Sequence, residues 1–222
     1  MTQSATDRIF EYWKSLTMDG RIPKRSDIKT EALQSILPYV FILQLEESVL
    51  EPSSSLPQQK PDITFRLTGT EICNLHTREL TRSAFKYIIT PRDRAQVEAE
   101  LRRVFTHHEV KRFTTRVRSA YAILDVQTIV MPLNNGPEGC TRAIGAQIPL
   151  TRDHLWWKGE HSISSHELVA TETMSWRASN VIGDPRLQPP AYEVPVFELS
   201  RRAKRPEGRM VGHLTVIEGG TA

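Results

Sequence analysis

Residues 63–68 alternate strictly, with Ile63, Phe65 and Leu67 apolar and Thr64, Arg66 and Thr68 polar. That is the period of a strand with one buried face. Gly69 breaks the run, and Thr70 offers a hydroxyl to cap a short helix with Ile72, Cys73 and Leu75 turned inward. Upstream, Ile9, Phe10, Trp13 and Leu16 form one helical stripe over 7–17. Ser26 or Asp27 caps a second predicted helix running to Leu37, with Ile28, Leu33 and Ile36 inward, and Pro38 stops it. Tyr39 to Leu45, YVFILQL, reads as the first strand. Between the two strands, 46–62 holds PSSSLPQQKP, a composition too polar to offset its ordering entropy, and reads as a long mobile hairpin loop.

Downstream, Phe85, Tyr87, Ile88 and Ile89 make a short apolar segment. Thr90 followed by Pro91 is a helix-start signature, and the helix runs to Thr106 with Val97, Leu101, Val104 and Phe105 inward. His107 and His108 sit at its C-terminal end, where the helix dipole favours positive charge. Three strands follow, over 110–120, 121–133 and 141–150, with Asn134-Asn135-Gly136 as a hairpin turn. The first places Phe113, Thr115 and Val117 on one face and Arg112, Thr114, Arg116 and Arg118 on the other. After Thr151 the periodicity weakens. His154-Leu155-Trp156-Trp157 would pack back on the sheet, 163–176 holds a strand or short helix, 183–195 is Pro-rich, 201–209 is a basic turn or tail, and 210–218 is a strand.

These elements predict an α+β fold: a five-stranded antiparallel sheet with helices inserted between strands two and three. The ordering of strand, Gly69-Thr70, short helix and second short element resembles the middle of a PAS domain. Tyr12-Trp13 through Gly20-Arg21, Pro23, Arg25 and Leu37-Pro38 sharpen the likeness. The chain is similar to the single-PAS-domain proteins of alphaproteobacteria, short proteins with one PAS domain and no obvious output domain, several of which also end in a motif like HLTVIEGG. The resemblance implies N-terminal helices over 1–38, a PAS-like domain over 39–150 and a C-terminal extension over 151–222. In family terms Arg25, Arg66, Gly69 and Thr70 occupy motif positions. Where relatives carry Phe-Gly, this chain has His76-Thr77.

Composition narrows the function without naming it. The 222 residues are 39% hydrophobic and 25% charged with net charge +3, ordinary for a globular protein and too mild to argue for nucleic acid. Cys73 and Cys140 lie in apolar stretches and read as reduced thiols of a cytoplasmic protein. No apolar run is long enough to span a membrane, and the N-terminus lacks a signal layout. P-loop, dinucleotide-binding, nucleophile-elbow and HExxH motifs are all missing, so no catalytic residue is assigned and the chain is read as non-enzymatic. The cofactor stays open. The predicted long helix has no histidine to ligate haem. Cys73-Asn74 reverses the Asn-Cys order that the flavin photosensors of this family use. His154, His161 and His166 lack recognised metal spacing.

The resemblance implies an apolar cavity between sheet and long helix. Phe65, Phe85, Tyr87, Leu101, Phe105, Phe113 and Ile144 are candidates to line it, against the alternative that they fill a solid core. The expected role is a cytoplasmic sensory or regulatory module that binds a small ligand, a protein partner, or both. A ligand-free interaction scaffold is the alternative, and an anion or nucleic-acid binder using Arg112, Arg116 and Arg118, joined by Lys111, is less favoured because no aromatic alternates with them. Phe10, Trp13 and Leu16 are the candidate contact with a partner or a second copy in a homodimer. On that expectation, deleting residues 1–20 changes oligomeric state or partner binding.

Overall fold

The computed structural model describes residues 5–17, 20–46, 62–118, 123–150, 165–177, 209–211 and 214–216. The elements are α1 (Ala5–Ser15), β1 (Val40–Leu45), β2 (Ile63–Thr68), α2 (Thr70–His76), α3 (Arg94–Thr106), β3 (Val110–Arg118), β4 (Ile123–Leu133), β5 (Arg142–Pro149) and β6 (His166–Met174). A further short hairpin joins β7 (Arg209–Val211) and β8 (Leu214–Val216). The chain divides into two units, Met1–Gln188 and Pro189–Ala222. The calls on the 46–62 loop (beyond its ends), on 154–157 and 183–195, and on most of 201–209 lie outside the described residues. The single strand expected over 210–218 is instead the β7–β8 pair.

The sheet of the first unit is antiparallel throughout, in the order β2-β1-β5-β4-β3-β6. The five expected strands are all present, and the helices fall between β2 and β3. A sixth strand, β6, pairs along the whole of β3 from Val110↔Met174 to Val117↔His166, and a bulge between Thr114 and Thr115 leaves Val169 half exposed. Its sequence HELVATETM is mostly polar, as suits an edge strand with one wet side.

The central strands are apolar on both faces, so both faces need cover. On the inner face, Phe41 and Leu43 of β1, Phe65 of β2, Phe113 of β3, Val130 of β4 and Ala143 of β5 pack with Ile72 of α2, the 3-10 turn Phe85–Ile88, and Val97, Leu101, Val104 and Phe105 of α3. On the outer face, Ile42, Ile129, Met131, Ile144 and Ala146 pack against Ile9, Phe10 and Trp13 of α1 and against Ile28, Leu33 and Ile36. Trp13 is fully buried. Its indole N–H donates to the Pro132 carbonyl (3.0 Å), which lies beyond the last β3–β4 pair, Lys111↔Val130, and so has no ladder partner on that side. Trp176 stands edge-on to Trp13 with centroids 5.2 Å apart, and its own N–H donates to the His108 carbonyl (2.9 Å).

Three local expectations change. The second predicted helix is a chain of 3-10 turns, Arg25–Asp27, Thr30–Leu33 and Leu37–Tyr39, separated by extended residues at Ile28 and Lys29. Ile28, Leu33 and Ile36 are still buried, so outer-face packing decides here over helical propensity. The long helix begins at Arg94, not Pro91. The Thr90 hydroxyl donates to the Asp93 carboxylate (2.7 Å), the Asp93 N–H donates back to the Thr90 carbonyl (3.0 Å), and this turn holds Pro91 outside the helix. Thr70 is the first residue of α2 and not its cap. Gly69 is the N-cap, at an ordinary φ of −69°. What requires glycine there is closeness: a Cβ would stand 2.3 Å from the Pro38 carbonyl oxygen and 2.8 Å from that of Leu37.

Two predictions follow from this packing. Gly69→Ala lowers stability by about 1–3 kcal/mol in urea denaturation, because backbone and not a movable side chain must give way. Trp13→Ala lowers it by about 3–5 kcal/mol. An unchanged midpoint in either variant contradicts the close approach or the burial.

Candidate functional site

The inner face carries a patch of polar side chains in an otherwise apolar wall. Thr115 of β3, Thr128 of β4 and Gln147 of β5 all point inward and are each 2% exposed. His76, the last residue of α2, and His166, the first of β6, close over them at 7% and 0% exposure. The two imidazoles stack with centroids 5.0 Å apart and planes 21° from parallel.

The hydrogen bonds assign the ring proton of His76. Gln147 Nε2 donates to the Thr128 hydroxyl (3.3 Å), which turns Gln147 Oε1 towards His76 Nε2 at 3.0 Å. An amide oxygen only accepts, so His76 carries its proton on Nε2. Thr115 Oγ1 lies 2.8 Å from His166 Nδ1 and 3.3 Å from the Val126 carbonyl oxygen. His166 Nε2 is fully buried and has no partner. An unmet buried polar atom costs about 1–3 kcal/mol. Near-parallel rings aim their nitrogen lone pairs side by side and not at one point, and among the described residues no group of three His, Cys, Asp or Glu side chains is placed to hold a metal.

Burial holds both rings neutral. It pushes the His76 pKa down to about 4, with Arg78 adding to the effect, and pushes His166 well below the usual histidine range, with His76 adding to it. Burial likewise raises the thiols of Cys73 and Cys140, so neither is a thiolate at neutral pH.

Of the proposed cavity lining, Phe65, Phe85, Leu101, Phe105 and Phe113 gather in one inner-face cluster. Phe65 and Phe85 stack at 5.3 Å, and Phe41 meets Phe65 edge-on at 5.6 Å. Ile144 does not join them. It pairs with Ile42 and Met131 in register and therefore points to the outer face, beneath α1. Tyr87 points outward at 53% exposure, its ring flanked by Lys86 and Arg94. A cleft beside the cluster has an apolar floor of Ile63, Phe85, Val97 and Leu101 and a charged rim of Asp62, Lys86, Arg94 and Glu98. Its volume of about 10 Å³ is room for about one water molecule.

The other candidates separate. Phe10 and Trp13 are buried and Leu16 half-buried against the chain's own sheet, so their apolar stripe is already covered. Deleting 1–20 would strip the outer-face core and would not isolate a partner contact. Arg25 and Arg66 are exposed, and Arg66 reaches Gln44 Oε1 at 3.2 Å. The arginine stripe is neutralised within the fold. Arg112 meets Asp7 and Glu172, Arg116 grips Asp125 through two bonds of 2.7 and 3.0 Å, and Arg118 lies 3.8 Å from Glu167. Lys111 belongs to the opposite face, where its ammonium contacts Glu100 (2.6 Å), Glu109 (2.7 Å) and the Thr173 hydroxyl (2.7 Å). His107 is exposed and His108 partly so. His166 is described and faces His76, whereas His154 and His161 lie outside the described residues.

Sequence reasoning missed the polar patch. His76 and His166 are 90 positions apart, and only the departure from Phe-Gly at 76–77 marked the place. The same departure puts Thr77 in the left-handed region, φ 51°, where glycine is the easy residue.

A family profile described as PAS domain matches residues 1–148. The chain belongs to the PAS domain family. The match runs from α1 through β5, and β6 lies beyond it. Solved structures similar to this PAS chain include the dark structure of the blue-light photoreceptor Aureochrome1 LOV (16% identity, TM-score 0.38, 60% of this chain and 91% of that one). Others are a Rhodobacter sphaeroides LOV protein (14%, TM-score 0.33, 59% and 73%) and a fungal LOV domain photoreceptor (17%, TM-score 0.33, 66% and 100%). Comparison with curated proteins found no match. As a PAS domain the chain is of the sensory class, and no helix among its described residues is long and apolar enough to cross a membrane.

The depressed histidines make stability depend on pH with a definite sign. Below about pH 6.5 the unfolded chain takes up protons that the folded rings refuse, so stability is full above 6.5 and falls as pH drops towards 4. His76 alone accounts for about 3 kcal/mol across that window, at about 1.4 kcal/mol per pH unit. Urea midpoints between pH 7 and 4.5 should fall accordingly, and His76→Phe should flatten the slope. A flat wild-type profile would mean that the rings are hydrated.

Proposed function

We propose that the chain is a non-enzymatic, cytoplasmic regulatory PAS module that takes a small ligand on the inner face of its sheet and relays its presence to a protein partner or a second copy. The observation that carries this reading is the unpartnered, fully buried Nε2 of His166 among Thr115, Thr128, Gln147 and His76. A core needed only for stability gains nothing from an unmet polar atom there. The ligand chemistry follows from the site: a small molecule with a hydrogen-bonding group for Nε2 and an apolar body. Phe65, Phe85, Leu101, Phe105 and Phe113 are the proposed apolar wall.

The core is closed around the patch. The cleft beside Phe85 and Leu101 has room for about one water and is lined by none of the patch residues, so a ligand reaches the patch only if the histidine rings or the 85–88 turn move aside. Ligand binding therefore selects a more open arrangement, and the shift between the two is the proposed signal. The identity of the ligand is left to the test.

Native mass spectrometry of the full chain purified from its own host tests the reading. The expected result is a mass excess that disappears on denaturation and is absent from Gln147→Leu, a substitution that removes the patch's amide while keeping the strand. Bare sequence mass, or an integer multiple of it, overturns the ligand reading in favour of a ligand-free scaffold.

A further inference from the structure

The sixth strand is held by a device that the rest of the sheet lacks. β6 lies beyond the residues matched to the PAS family and forms an edge of the sheet, laddered to β3 and bridged at His166 to Ile89. Its first residue, His166, is the anchor: the ring is fully buried in the stack with His76, and the backbone carbonyl accepts the Thr90 N–H (2.9 Å). Two positions on, the Leu168 N–H donates to the Asp93 carboxylate (2.9 Å). At the far end Trp176 is pinned against Trp13 and His108. We propose that β6 is a proton-releasable strap, detached from β3 at its His166 end when the buried histidine pair is protonated.

The surroundings of the pair decide the direction. From β3, β4 and β5 it meets Thr115, Thr128 and Gln147, which are neutral. From the turn after α2 comes Arg78, whose charge repels an imidazolium at His76. The carboxylates nearest in the chain are committed elsewhere. Asp93 accepts from Thr90, Arg92 and Leu168, and Glu167 points to the outer face, where it meets Arg92 (2.9 Å) and Arg118. A second proton on the His166 ring therefore meets no counter-charge. The ring is hydrated only outside the core, and β6, with one neighbour strand, is the element that can carry it there. Withdrawal of His166 also uncovers His76, so release favours a second protonation.

The magnitude follows from linkage. A released histidine titrates near 6.5 and a buried one far lower, so the opening equilibrium of β6 rises at least about 20-fold between pH 7 and pH 5. The other strands share only the pH dependence of global unfolding and stay the better protected at every pH.

Hydrogen–deuterium exchange of the full chain, read by mass spectrometry at pH 7, 6 and 5 and corrected for intrinsic exchange, tests the proposal. Peptides covering 166–174 should exchange faster than β4 and β5 peptides at every pH and lose protection by about 20-fold or more at pH 5, through an opening smaller than the global unfolding that exposes β4 and β5. In the double variant His76→Phe, His166→Leu the pH dependence of 166–174 should vanish. The wild-type measurement stands alone if that variant does not fold. Constant protection of 166–174 down to pH 5, or protection of 166–174 equal to that of β4 and β5 at every pH, overturns the strap. The exchange is read on chain whose native mass shows no excess, so the strap and the ligand reading fail separately.

Discussion

A sheet buried on both faces leaves no water for the polar groups it carries, and this constraint organises the molecule. β1, β4 and β5 are apolar on both sides, so α2, α3 and the 85–88 turn must cover one face while α1 and the 3-10 turns cover the other. Everything polar that remains inside has to find a protein partner. Lys111 does so with two carboxylates and a hydroxyl, and the indole of Trp13 takes a carbonyl that the ladder leaves free. His166 Nε2 does not. Among the described residues it is the unpartnered buried atom within the stacked histidine pair, and that position is what marks the patch.

The patch also connects elements distant in sequence. His76 ends α2, His166 begins β6, and Gln147, Thr128 and Thr115 run across three strands. A change at the histidine pair is therefore felt at once by a helix end, the middle of the sheet and its edge. That is the arrangement a sensory domain needs if a small event inside is to alter a surface outside, because packed elements move between discrete arrangements and do not deform continuously.

Much of this fold was legible in the sequence, for reasons that particular residues show. Alternation gave β3 its faces and β2 the buried Ile63 and Phe65, but not Leu67, which is half exposed beyond the register shift at Ile42/Leu43. The inward stripe of α3 survived an error of three residues at its start, since Val97, Leu101, Val104 and Phe105 depend on helical period and not on the cap. Ile144 and Tyr87 were placed by apolarity alone. Apolarity does not reveal which side of a doubly buried strand faces which core: only the register with Ile42 and Met131 assigns Ile144. β6 falls within the 163–176 stretch that reads as either a strand or a short helix, because an edge strand rich in Glu and Thr carries little hydrophobic signal. Gly69 reads from the sequence as a strand breaker, whereas what requires glycine is the Pro38 carbonyl, 31 positions upstream, which cannot be seen before the chain folds.

The central claim is that two neutral imidazoles are stacked in the core, with His166 Nε2 fully buried and without a partner. Nitrogen-15 NMR of the histidine rings, followed from pH 7.5 to 5, tests it most directly. The account predicts that each ring holds one neutral tautomer, Nε2–H at His76, and that neither ring titrates in the folded protein across that range. Ring nitrogens of either residue that average between tautomers and titrate near pH 6.5 would contradict it.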